Sequence, residues 1–153
     1  MTDRISIDYL IQACAEHAGV EPEVIAHDRI PPMTAPYRQV ICYLANKEYR
    51  HHDEVSPWLN TGDDEVGDAV EIVQRHVEDG HVAAIYMTDV GVQVMYVKRP
   101  DYADCPDGLS YVPIDRWADQ IRRSAAEMQA ADDEAERRMV EESERRHEQD
   151  GTF

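Results

Sequence analysis

Positive charge is scarce in this chain. Fifteen lysines and arginines face 32 aspartates and glutamates across 153 residues, for a formal net charge of -17. The deficit is general: residues 1–79 hold six basic and sixteen acidic groups, residues 80–112 two and four, and residues 113–153 seven and twelve. No segment is basic. Nonspecific grip on nucleic acid comes from cations that displace counterions from phosphates, so this field opposes approach to a duplex. It fits a solubility or high-salt role, a basic protein partner, or mimicry of a DNA surface.

Cysteine is equally thin. The three, Cys14, Cys42 and Cys105, lie far apart with no CxxC spacing, which speaks against a disulfide scaffold. Cys14 and Cys42 fall on apolar helix faces and read as small buried hydrophobes; Cys105 sits in an acidic loop, a poor setting for a thiolate. No apolar run approaches the ~18 residues of a membrane span. The opening MTDRISIDYLIQACAEHAG has acids and periodic apolar residues instead of a basic start and hydrophobic run, so it does not read as a signal peptide, and a cytoplasmic setting is expected. No GxSxG, HExxH, Walker or dinucleotide pattern is present, and acid pairs such as Asp63-Asp64 are too common here to mark acid–base chemistry. No catalysis and no cofactor are expected. His51, His52 and Asp53 are weak metal candidates, because adjacent histidines do not converge from one helical face.

What is present is helical periodicity followed by strand periodicity. Ser6 or Asp8 starts a helix with Ile7, Leu10, Ile11, Cys14 and Ala18 inward, and Gly19 ends it. Pro22 opens a short helix with Val24 and Ile25 inward, broken at Ile30-Pro31-Pro32. A central helix then runs from an N-cap at Thr34, with Pro36 in its first turn and Val40, Ile41, Leu44, Ala45 and Tyr49 on one stripe. Ser56-Pro57 starts the next helix, with Trp58 and Leu59 inward. After the Asn60-Thr61-Gly62 turn comes DDEVGDAVEIVQRHVED, with Val66, Ala69, Val70, Val73 and Val77 inward and acids in the first turn, where the helix dipole favours them. Residues 1–79 thus read as one helical domain with Leu10, Val40, Ile41, Leu44, Trp58, Val70 and Val73 in its core.

HVAAIYM and VQVMYVK, joined by Thr88-Asp89-Val90-Gly91, read as a β-hairpin within residues 80–112, followed by the acidic loop RPDYADCPDG. Ile114, Trp117, Ile121 and Ala125 mark a helix over 113–140, and 141–153 reads as a charged, disordered tail. Tyr86, Tyr96, Tyr102, Tyr111 and Trp117 gather around the hairpin. They pack hairpin on helix, or form a protein-contact face in which Tyr86, Tyr96, Trp117 and Ile121 join two copies into a homodimer. The class is mainly α, and α+β overall.

One stretch carries a resemblance. The GV step at Gly19-Val20, the short helix with Val24 and Ile25, and RQVICYLANKE at residues 38–48 resemble the C-terminal DNA-binding domain of the bacterial chromosomal replication initiator DnaA over about residues 5–77. The resemblance implies a helical bundle with a helix-turn-helix, and a backbone contact to DNA at Arg38, with Lys47 and Arg50 as further candidates on the same edge. Arg38 capping, or pairing with nearby acids, is the alternative. Where that family reads its DNA box with an arginine, an aspartate and a histidine followed by two threonines, this chain has Asp63, Asp64, Glu65, Val66 and Gly67. An aspartate presents only acceptors and repels phosphate, so both reader and anchor are gone. The expected role is therefore in replication or transcription control, through acidic contacts to a replication or regulatory protein or through a diverged DNA contact, with a sequence-specific DNA-binding dimer or an interaction protein unrelated to DNA as alternatives.

Overall fold

A computed structural model of the chain describes residues 5–29, 31–98 and 109–150. Helices α1 (Ile7–Ala18), α2 (Pro22–Ala26), α3 (Pro31–Lys47), α4 (His52–Leu59) and α5 (Asp63–Glu78) come first. Strands β1 (Val82–Thr88), β2 (Gly91–Val97) and β3 (Leu109–Pro113) follow, and α6 (Ile114–Asp150) closes the described chain. The layout is α+β, mostly helical, with helices and turns throughout residues 36–77.

The helical stripes bury as their spacing dictates. Ile7, Leu10, Ile11, Cys14 and Ala18 of α1 meet Val40, Ile41, Leu44 and Ala45 of α3, with Val66, Val70 and Val73 of α5 in the same cluster. Two boundaries differ from the sequence expectation. The double proline does not stop a helix but starts α3, because fixed φ and missing donors are harmless in a first turn. Thr34 is therefore inside α3, where its buried hydroxyl donates to the Asp28 carboxylate, and Pro36 is interior. Helix α4 likewise starts at His52, not Ser56, with His51 at its N-cap position and Pro57 interior. That phase puts Val55, Ser56 and Leu59 inward and leaves Trp58 on the flank, 46% exposed, outside the core. Val24 is only half-buried.

The sheet has order β2-β1-β3, so the hairpin gains a third strand that the expected loop and helix start had hidden. Residues 109–113 pair antiparallel with β1, Val82 opposite Pro113 and Tyr86 opposite Leu109. Ala83, Ile85, Val94, Tyr96 and Val112 face the helices and join their core, so the helical part and the sheet share one interior. Two tyrosines tie the layers reciprocally: Tyr37 of α3 donates to the Val92 carbonyl at 3.1 Å, and Tyr96 of β2 donates to the Pro36 carbonyl at 3.1 Å. Gly91 makes the close approach possible. Its φ is +136°, and a Cβ there would lie 2.4 Å from the Ala18 carbonyl oxygen.

Helix α6 covers this junction. Trp117 is fully buried against Tyr37, Tyr96 and His17, and Ile114, Ala118, Ile121 and Ala125 complete its inward stripe. Gln129 accepts from the Ser6 amide and Asp132 from the Tyr9 hydroxyl; past that point, through residue 146, every side chain is exposed. The segment expected to be a tail is thus helical to Asp150, continuing past residue 140. Charge pairs one turn apart, such as Arg138 on Glu134 at 2.9 Å, support it there.

Candidate functional site

The arginines proposed for phosphate contact are spent inside the protein. Arg38 donates to the carbonyls of Ile25 at 2.7 Å, Ala26 at 3.0 Å and Leu59 at 2.6 Å. These carbonyls lie at the ends of α2 and α4, where Ile25 also accepts from the Asp28 amide and Ala26 from the Asn60 side-chain amide, and the broad planar guanidinium spans all three. Arg38 is a clamp between helix ends. Of the expectations from sequence, capping describes what it touches, with carbonyls and not acids as its partners.

Arg50 has a similar task at the chain's start. It donates to the Ile5 carbonyl at 2.8 Å while Glu48 accepts from the Ile5 amide at 3.1 Å, so both backbone groups of one residue are held by the end of α3. Glu54 lies 3.8 Å from Arg50 and Arg122 of α6 lies 3.6 Å from Glu48. Lys47 is the exposed member of the three; its ammonium rests 4.8 Å from the Tyr43 ring centre. Arg38 and Arg50 thus hold two separate backbone junctions.

Helices α4 and α5, joined at Asn60-Thr61-Gly62, form the turn where the family resemblance puts its DNA reader. Here Asp63 accepts from the Ser56 hydroxyl at 2.6 Å and Glu65 accepts from the Thr61 hydroxyl, so both acids brace their own turn. Asp64 is exposed, Val66 is core, and Gly67 faces His52: a Cβ there would sit 3.1 Å from its ring. Among the described residues no group of three or more His, Cys, Asp or Glu side chains is arranged to hold a metal, and His51, His52 and Asp53 are exposed.

Half of the proposed dimer face is interior. Trp117 and Ile121 are buried, and Tyr96 is packed between Trp117 and His76. Burial raises the Tyr96 and Tyr37 hydroxyls well above the ordinary phenol range. Tyr86 and Tyr96 are both partly exposed, the Tyr86 hydroxyl donating to Gln93 at 2.8 Å. Tyr102 and Cys105 lie outside the described residues. Burial raises Cys14 strongly and Cys42 to about 12, which keeps both as thiols.

Three features escaped the sequence reading. His17 Nδ1 lies 2.8 Å from the Tyr37 hydroxyl; since that hydroxyl gives its only proton to Val92, the imidazole must be the donor. His76 and His81 bring their Nδ1 atoms to 2.7 Å across the α5–β1 turn. Burial lowers both His17 and His76, with His81 adding to the effect on His76.

The third is a cleft of about 230 Å³ between α3 and α5. Ala35, Arg38, Gln39 and Cys42 line it from one helix and Glu65, Asp68, Ala69 and Ile72 from the other, with Asp28 at its end. Ile72 could have announced it, since it falls outside the Val66-Val70-Val73 stripe and is 39% exposed. No protein-family profile, curated protein or solved structure matches this chain. No helix among the described residues is long and apolar enough to cross a membrane.

Proposed function

We propose that this is a non-catalytic, acidic protein-interaction module of the cytoplasm, built on a helix-turn-helix-like arrangement similar to the initiator's DNA-binding domain and acting in replication or transcription control. The observation that carries the reading is the fate of the cations. A duplex-binding unit keeps arginines free for phosphate and base edges, whereas Arg38 and Arg50 donate to internal carbonyls. The first turn of α5 adds Asp63, Asp64 and Glu65 where the resemblance would place a reader. The surface that remains attracts a basic partner and repels DNA.

Titration of the intact protein with mixed-sequence duplex at about 50 mM salt tests this. The expected outcome is no binding in the submicromolar range. Tight binding that weakens steeply with salt and is lost on replacing Lys47, the exposed candidate, would instead establish a diverged DNA contact.

A further inference from the structure

The α3–α5 cleft combines two properties that seldom meet at a bare acidic surface. Its walls are apolar: Ala35 and Cys42 on α3, Val66, Ala69 and Ile72 on α5, and Leu59 at the turn. Its rim is acidic, with Asp28, Glu65 and Asp68 against the single cation Arg38. Arg38 does not fill the space, because its guanidinium is drawn to the carbonyls of Ile25, Ala26 and Leu59. Glu65 is held by Thr61 and Asp28 by Thr34, whereas Asp68 has no ion-pair partner among the described residues. Lining positions recur at one-turn spacing on both helices, 35, 38, 39 and 42 facing 65, 68, 69 and 72, so the cleft follows the helix axes as a slot.

At about 230 Å³ the slot is smaller than the roughly 300–1,000 Å³ of most cofactor or small-molecule sites, which suits a single long side chain. An occupant must bring an aliphatic stem to lie on Ala69 and Ile72 and a cation to reach Asp68 and Glu65. Arginine and lysine have that construction, and they bury the stem while keeping the head near water and carboxylates. We propose that the α3–α5 cleft receives an arginine or lysine side chain from a basic segment of a protein partner. This rests on the interaction-module reading and names the chemistry of the partner.

The probe is a short alternating arginine–alanine peptide, titrated into the full-length protein at about 50 mM salt while backbone amide shifts are followed, with a glutamine–alanine peptide as control. Saturating shifts at Gln39, Asp68, Ala69 and Ile72, given by the arginine peptide alone, are the expected result. Asp68→Asn should weaken binding about tenfold and Ile72→Ser about threefold, the latter with no change of charge; Glu134→Gln, on the free part of α6, should leave it within about twofold. Both α5 side chains are solvent-accessible, and dispersion of the amide spectrum reports that each variant folds.

Equal weakening by Asp68→Asn and Glu134→Gln, or shifts confined to α6, would overturn the cleft assignment while leaving an acidic interaction module in place. The absence of any shift also overturns it. Tight duplex binding in the companion titration would be the failure of the underlying reading.

Discussion

At the scale of single residues, the most informative side chain is Tyr49. It is 85% exposed and holds φ at +60°, a left-handed conformation that costs an L-residue on the order of 1–2 kcal/mol. The reason lies in the bonds around it: the Arg50 amide returns to the Ala45 carbonyl and the Tyr49 amide to Asn46, the closing pattern that ends a helix with glycine in the central place. Apolar spacing predicted Tyr49 as the last residue of the α3 stripe, because periodicity cannot see where the backbone reverses. Tyr49→Gly should therefore stabilise the protein by about 0.5–1 kcal/mol, read as a higher urea midpoint at unchanged slope. Gly91→Ala is the counter-case, where both the φ and the Ala18 carbonyl stand in the way, and a loss of about 2 kcal/mol or more is expected. Arg38 belongs to the same scale. Arg38→Met takes the guanidinium from three helix-end carbonyls, of which Ile25 keeps the Asp28 amide and Ala26 the Asn60 side-chain amide, and should lower stability by about 1–3 kcal/mol, with Arg38→Lys recovering little because an ammonium does not have the span of the guanidinium fork.

Elements repeat that ending motif. Val20 on Ala15, Arg29 on Val24, Arg50 on Ala45, Thr61 on Ser56 and His81 on His76 are the same amide-to-carbonyl bond at the ends of α1 to α5, with Gly19, Asp28, Tyr49, Asn60 and Gly80 left-handed at the turn. Where the turn residue is glycine or asparagine, the sequence announces the helix end; where it is Asp28 or Tyr49, it does not. The same split explains the helix starts. Prolines 31 and 32 are ambiguous between a break and a first turn, and the choice depends on whether α3 has something to pack on, which lies elsewhere in the chain. Strand β3 was hidden for a related reason: Leu109–Pro113 is short, and its partner β1 is far away in sequence. Elements also meet through histidines, His17 between α1 and α3, and His76 at the end of α5. Their folded pKa values are lowered from 6.5 by burial, so below pH about 6.5 the unfolded chain takes up protons that the folded protein resists. Stability should be complete above that pH and decline as pH falls below about 6.5. Urea midpoints across this window should fall for the native chain and flatten when His17 and His76 are both replaced by glutamine.

For the whole molecule, the deciding fact is that α6 is two things in one helix. Its first part supplies Trp117, Ile121 and Ala125 to the shared core, and in its later part every side chain from 133 to 146 is exposed. Sequence spacing found the stripe but not its destination; whether it closes its own sheet or joins a second copy depends on how the tyrosines of α3 and β2 turn the sheet against the helices. Since Trp117 and Ile121 are used within one chain, polar replacement should not convert a dimer into a folded monomer. Trp117→Ala should cost about 3–5 kcal/mol and unfold a protein of ordinary stability. Ending the chain at residue 133 keeps the Gln129 and Asp132 bonds to Ser6 and Tyr9, and should leave the thermal midpoint within about 2 °C of the full chain, a change well under 1 kcal/mol. Ending it at residue 113 removes Trp117 from the ring cluster of His17, Tyr37 and Tyr96 and exposes the seam between helices and sheet. That truncation should be unfolded by near-ultraviolet circular dichroism. If it instead melts cooperatively near the full-length midpoint, α6 is an accessory to the core and not the element that closes it.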